Sequence, residues 1–131
     1  MIFCVDEQDG LSFCGRRLSR DREVYDHILR CCDGKTLWTA PDSAGLFPKG
    51  TVRADKDYFL KAADGDYCFL ETLPESDVWQ RAESVILYHW NRRYPSTEKI
   101  PRQYLADMYL CHSEDFPGNS HEMITMERYI R

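Results

Sequence analysis

The chain has 131 residues, 43% of them hydrophobic and 30% charged, which is enough for one domain, residues 1–131, that needs no disulfide or metal staple to fold. Seventeen Lys and Arg against 22 Asp and Glu leave a net charge of −5, so no global field draws in nucleic acid. No apolar run approaches the roughly 18 residues that span a bilayer, and no membrane partner is expected.

The opening "MIFCVDEQDG" has no basic flank and few apolar residues, which argues against a secretion signal and places the chain in the cytoplasm. Within it, "IFCV" (2–5) reads as a strand. In "SRDREVYDHILRCC" (19–32), Val24, Ile28 and Cys31 or Cys32 recur at helical spacing, and Tyr25 and Leu29 widen the stripe. That pattern predicts an amphipathic helix over 21–32. Asp21 stands at its start. An acid there accepts orphan N–H groups and meets the positive end of the helix dipole, so a capping role accounts for it; a ligand-binding acid is the alternative.

Further along, "KTLWTA" (35–40) predicts a strand, "DSAGLF" (42–47) a short turn of helix, and "DKDYFLKAA" (55–63) a helix. "DYCFLE" (66–71) predicts a strand, "ESDVWQRAE" (75–83) a helix, and the apolar run in "SVILYHWN" (84–91) a buried strand. At the end, "ADMYLCHSEDF" and "HEMITMERYI" flank the turn signal "PGNS" and predict an antiparallel hairpin. Strands alternating with helices define an α/β fold: a mixed, mostly parallel sheet flanked by helices and closed by that hairpin.

The chemistry-bearing residues are scattered. Six cysteines (4, 14, 31, 32, 68 and 111) form no C-x-x-C pair and four lie in apolar patterns, which predicts reduced, structural thiols. Cys31 and Cys32 are adjacent on a helix and Cys111 and His112 adjacent on a strand, so neither pair chelates, and no metal site is predicted. His121-Glu122 lacks the second histidine of a zinc protease, Thr125 standing in its place. A metal-free nuclease would draw on His121, Glu122 and Arg92, but no spacing brings these together, and His121 reads as a hairpin residue. The pairs Arg16-Arg17 and Arg92-Arg93 read as solvated surface, with anion binding as the alternative. Trp79, Tyr88, Trp90 and Tyr94 could stack a flat ring, although aromatics at such spacing more often belong to a core.

Several stretches together resemble dihydrofolate reductase. "IFCVDEQDGLSF" is similar to that family's first strand and mobile loop, with Asp9-Gly10 in the loop; Asp21 stands where the family has its substrate-binding acid. "LYHWNRRYPSTEKIP" (87–101) is similar to the penultimate strand and the loop to a proline, here Pro101, and "NSHEMITMERYIR" (119–131) to the last strand. The resemblance implies the reductase fold, with Asp21 as the acid for a pterin-like substrate and Tyr88, aligned with a supporting threonine, offering it a hydroxyl. It also implies NADPH as cofactor, and here the residues depart from the family. No glycine pair follows 66–71, where "LETLPESD" stands, and "TAPDSAG" brings Asp42 to a phosphate-gripping turn. The tryptophan-proline pair on the substrate side is replaced by "RRLSR".

The expected function is therefore a small reductase-like domain that has lost its NADPH site, so that no cofactor is expected, and that binds an unidentified small molecule or protein partner. The alternative is an NADPH-dependent dihydrofolate or pterin reductase. A small inhibitor or immunity-type protein fits the charge without a motif of its own. Small bacterial proteins labelled ribonuclease Z are similar in look, but the zinc motif of that enzyme is missing here, since no two of His27, His89, His112 and His121 are two apart.

Overall fold

The computed structural model describes residues 1–131 and builds them around a seven-stranded sheet. The strands are β1 (Ile2–Val5), β2 (Gly10–Phe13), β3 (Arg16–Arg17), β4 (Leu37–Thr39), β5 (Arg53–Ala54), β6 (Tyr67–Phe69), β7 (Ser84–His89), β8 (Glu98–Lys99), β9 (Tyr109–Phe116) and β10 (Ile124–Ile130). The helices are α1 (Arg22–Cys32), α2 (Tyr58–Lys61) and α3 (Ser76–Arg81), with tight 3₁₀ turns at Pro41–Leu46 and Arg102–Leu105. The main sheet runs β5-β4-β6-β1-β7-β10-β9. Its first five strands are parallel, and β10 pairs antiparallel with both β7 and β9. This is the mixed, mostly parallel sheet with a closing hairpin that the alternation predicts.

Because side chains alternate across a strand, the central strands supply two cores. Ile2, Cys4, Ile86 and Tyr88 point to one face, where Val24, Tyr25 and Ile28 of α1 cover them. Phe3, Val5, Val85 and Leu87 point to the other, under Trp79 of α3, Leu105 and Met108. Trp79 is sandwiched between Phe3 and Tyr104, with ring centroids 5.2 Å away on each side. The aromatic stripe is thus divided: Trp79 lies in the second core, while Tyr88, Trp90 and Tyr94 belong to the first.

Three local outcomes differ from the sequence reading. The helix over 55–63 contracts to the single turn of α2, because the Asp55 carboxylate accepts from the Asp57 N–H at 2.8 Å and from Lys61 Nζ at 2.5 Å, an arrangement that competes with a helix start. Arg53–Ala54 joins the sheet edge beside β4, with the Arg53 guanidinium 5.7 Å from the centre of the Trp38 ring. The loop after Asp9 folds into a second sheet of order β3-β2-β8, its hairpin turned by Cys14 and Gly15, both at positive φ (48° and 76°). No helix is long and apolar enough to cross a membrane.

Candidate functional site

Asp21 caps α1 in extended conformation (φ −155°, ψ 121°), its Oδ1 accepting the Glu23 N–H at 3.0 Å. It does more than cap. The connection between β9 and β10 folds back over the helix start. There the Asn119 N–H donates to both Asp21 oxygens at 2.9 Å, and the Ser120 and His121 N–H groups donate to Oδ2 at 2.8 and 3.2 Å. The Ser120 hydroxyl (3.2 Å) and His121 Nδ1 (2.9 Å) reach the same oxygen. Together these contacts exceed the about four lone-pair sites that a carboxylate offers. Asp21 is 3% exposed and His121 4%, so neither group is left facing water.

The approach is close enough to demand glycine at position 118. A Cβ there would stand 2.7 Å from Asp21 Oδ2 and 2.7 Å from the His121 carbonyl oxygen. Desolvation, the largest influence on the Asp21 carboxyl, pushes its pKa up. The donors oppose it, namely the Asn119 N–H, the His121 ring and the Ser120 and Glu23 N–H groups, and the net result is a fall to about 2.

His121 faces a second layer of partners. Its Nε2 lies 3.1 Å from Ser19 Oγ and 3.1 Å from the Tyr94 hydroxyl, and its ring stacks on Trp90 at 4.8 Å. Tyr94 is positioned in turn by buried Asp6, which accepts the Tyr94 N–H at 3.0 Å while holding the Gln8 and Gly10 N–H groups.

Tyr88 lies elsewhere. Its hydroxyl bonds His27 Nδ1 at 2.7 Å and Cys31 Sγ at 3.3 Å, and Asp21 is not among its partners. Burial drives the Tyr88 hydroxyl well above its ordinary pKa, and burial lowers that of His27 against the pull of Glu114, bonded to Nε2 at 2.8 Å. The adjacent pairs Cys31-Cys32 and Cys111-His112 are not the only neighbours of this kind within one segment. His27 and Cys31, four residues apart on α1, bring Nδ1 and Sγ to 3.5 Å. Even so, no cluster of three or more His, Cys, Asp or Glu side chains is arranged to hold a metal, and all six cysteines are free. Of the nuclease candidates, the Arg92 guanidinium donates to the Ser120 carbonyl at 3.3 Å and so lies beside this segment, Glu122 is exposed, and His121 is engaged with Asp21.

At the carboxyl end of β6, the usual side for a ligand in a parallel sheet, Glu71 accepts two hydrogen bonds from Arg17, at 2.5 and 2.6 Å, and one from Ser43 Oγ at 2.7 Å. This bridge closes over a space between β1, β6 and the start of α1 that is lined by Cys4, Leu11, Leu18, Phe69 and Trp90. About 10 Å³ of it is open to the centre of a water molecule, the room for about one water. A larger hollow, about 400 Å³, opens at the opposite end of the sheet beside Phe59, Tyr67 and Arg128.

Ser19 carries no site signal beyond a serine ahead of a helix, and Gly118 and His121 lie in "PGNSH", which reads as a turn unless its distant partner Asp21 is known; His121, weighed above as a nuclease base, is the partner of Asp21.

No protein-family model matches the sequence, and no curated protein matches it. Among solved structures the chain is similar to a dihydrofolate reductase from Enterococcus faecalis complexed with NADP(H) and RAB-propyl, with a TM-score of 0.64 and 12% identity over 99% of this chain and 94% of that one. The likeness establishes a dihydrofolate reductase-like fold.

Proposed function

Proceeding from a dihydrofolate reductase-like fold, we propose that this chain is a single cytosolic domain that does not work through the reductase's pterin and NADPH sites, and serves instead as a ligand- or protein-binding module. The observation that carries this reading is the saturation of Asp21 by the chain's own 118–121 segment. An acid that must grip paired N–H groups of a ligand needs free lone pairs, and those of Asp21 are engaged. Two further features support it. The Arg17–Glu71 bridge closes the space beside β6, and the Glu71 carboxylate stands where a pyrophosphate would need glycine N–H groups rather than a second anion. Tyr88, engaged with His27 and Cys31, acts as a structural group of the α1 face. The six free thiols suit a reducing compartment.

The second reading, an NADPH-dependent pterin reductase, is favoured by the near full-length likeness to a structure that holds NADP(H). Thermal unfolding with and without millimolar NADPH and dihydrofolate separates the two. A ligand present at 100 times its Kd adds about 2.7 kcal/mol, which is a shift of many degrees for a domain of this size. The expected result is no shift with either compound. Micromolar binding of either one overturns the reading.

A further inference from the structure

Asp21, His121 and Ser19 stand in line. Asp21 Oδ2 lies 2.9 Å from His121 Nδ1, and Nε2, on the far side of the ring, lies 3.1 Å from Ser19 Oγ. An ionised carboxylate only accepts, so Nδ1 carries the proton of the neutral ring and Nε2 turns its lone pair toward the serine hydroxyl. Stacking on Trp90 and near-complete burial hold the ring in that orientation. A serine just ahead of a helix ordinarily caps it, but here Asp21 is the cap, and the only hydrogen-bond partner of the Ser19 hydroxyl is His121. Ser19 is half-buried beside the water-sized space near Leu11, Leu18 and Trp90, while Arg16 and Arg20 are exposed.

We propose that Ser19 is a nucleophile, with His121 as its general base and Asp21 as the positioning residue, and that the set acts on small carboxylic esters. The proposal rests on the reading that Asp21 serves the chain's own histidine and not a pterin. The space beside Ser19 has room for about one water, so an ester meets the half-buried hydroxyl from the solvent side, and small, unhindered esters are favoured. As Ser19 Oγ bonds to the carbonyl carbon, its proton passes to His121 Nε2, and the departing alkoxide takes that proton as the ester C–O bond breaks. Water, deprotonated by the same nitrogen, then releases the acid and restores Ser19. Tyr94 shares Nε2 with Ser19, so its hydroxyl competes for the base.

The test is labelling of the full chain with a fluorophosphonate probe, followed by peptide mapping. The expected result is an adduct on Ser19 in the native protein and none in the urea-unfolded chain, and hydrolysis of 4-nitrophenyl acetate that is lost in Ser19→Ala. His121→Gln should slow labelling by about 100-fold, the usual contribution of a general base, whereas Tyr94→Phe should speed it by freeing Nε2. Absence of a Ser19 adduct in the native wild-type protein, or equal labelling of native and unfolded chains, overturns the proposal whether or not either variant folds. The two failures are distinct. Binding of dihydrofolate that blocks labelling of Ser19 strikes at the proposed function, while an inert Ser19 in a protein that binds no folate strikes at the triad alone.

Discussion

Asp21→Ala is expected to destabilise the protein by about 4 kcal/mol, because removing one partner of a buried, hydrogen-bonded charge typically costs about 3–5 kcal/mol. The variant leaves the Asn119, Ser120 and His121 N–H groups without their acceptor and removes the carboxylate from His121 Nδ1, which keeps only the Ser120 hydroxyl at 3.2 Å, in a place with almost no access to water. Against a total stability of about 5–15 kcal/mol this is a large fraction, seen as a fall in melting temperature of more than about 10 °C. Asp21→Asn discriminates more finely. If the residue were only a cap, asparagine would serve about as well and the loss would be about 0.3–1 kcal/mol. Within the clamp, the asparagine NH₂ must face N–H donors, and the expected loss is about 2 kcal/mol.

The same carboxylate sets an acid limit. Its pKa falls to about 2 in the folded state, from an ordinary value of 3.8, so the folded protein binds that proton less readily than the unfolded chain. The resulting stability, about 2 kcal/mol, is fully present above the ordinary value and is lost as pH drops from about 4 to about 2. Urea titrations across that range should show the loss in the wild type and a flatter profile in Asp21→Asn.

Trp79→Ala should cost as much, about 3–5 kcal/mol, since it empties the space between Phe3 and Tyr104 under α3. Trp79→Phe is expected to stay within about 1 kcal/mol of wild type. The Trp79 Nε1 is buried without a hydrogen-bond partner, and an orphan donor of this kind carries a penalty of about 1–3 kcal/mol, so phenylalanine removes a liability while giving up part of the ring. Chemical denaturation of the two variants side by side checks the difference. A loss in Trp79→Phe well above about 1 kcal/mol would mean that the indole N–H is satisfied in solution.

The comparison between sequence and structure divides along range. Helix α1 carries its own periodicity because it buries one face, while strands β1, β6 and β7 show as short apolar runs because the central strands are covered on both faces, and the order of these elements is enough for the fold class. The short pairings Arg16–Arg17, Arg53–Ala54 and Glu98–Lys99 have no room for a period, and the partners of the last two lie outside their own stretch of chain, Arg53 beside Trp38 and Glu98 beside Ser12. The site shows the same limit. Asp21 is visible as an acid at a helix start, yet what it binds is set by residues about 100 positions later. Nothing local to "PGNSH" announces that its N–H groups turn toward α1, and only the 2.7 Å approach to Gly118 reveals why glycine stands there. For Tyr88, alignment with a family position suggested support for the acid, whereas alternation along β7 turns its hydroxyl to His27 and Cys31.

The central claim is that the helix-start acid is consumed by the chain's own loop, and titration of the Asp21 side-chain carboxyl by carbon NMR, without ligand and with saturating dihydrofolate, tests it most directly. The account predicts a midpoint near 2 and a resonance unmoved by the folate. A midpoint above the ordinary 3.8, or a resonance that shifts when dihydrofolate is added, would contradict it.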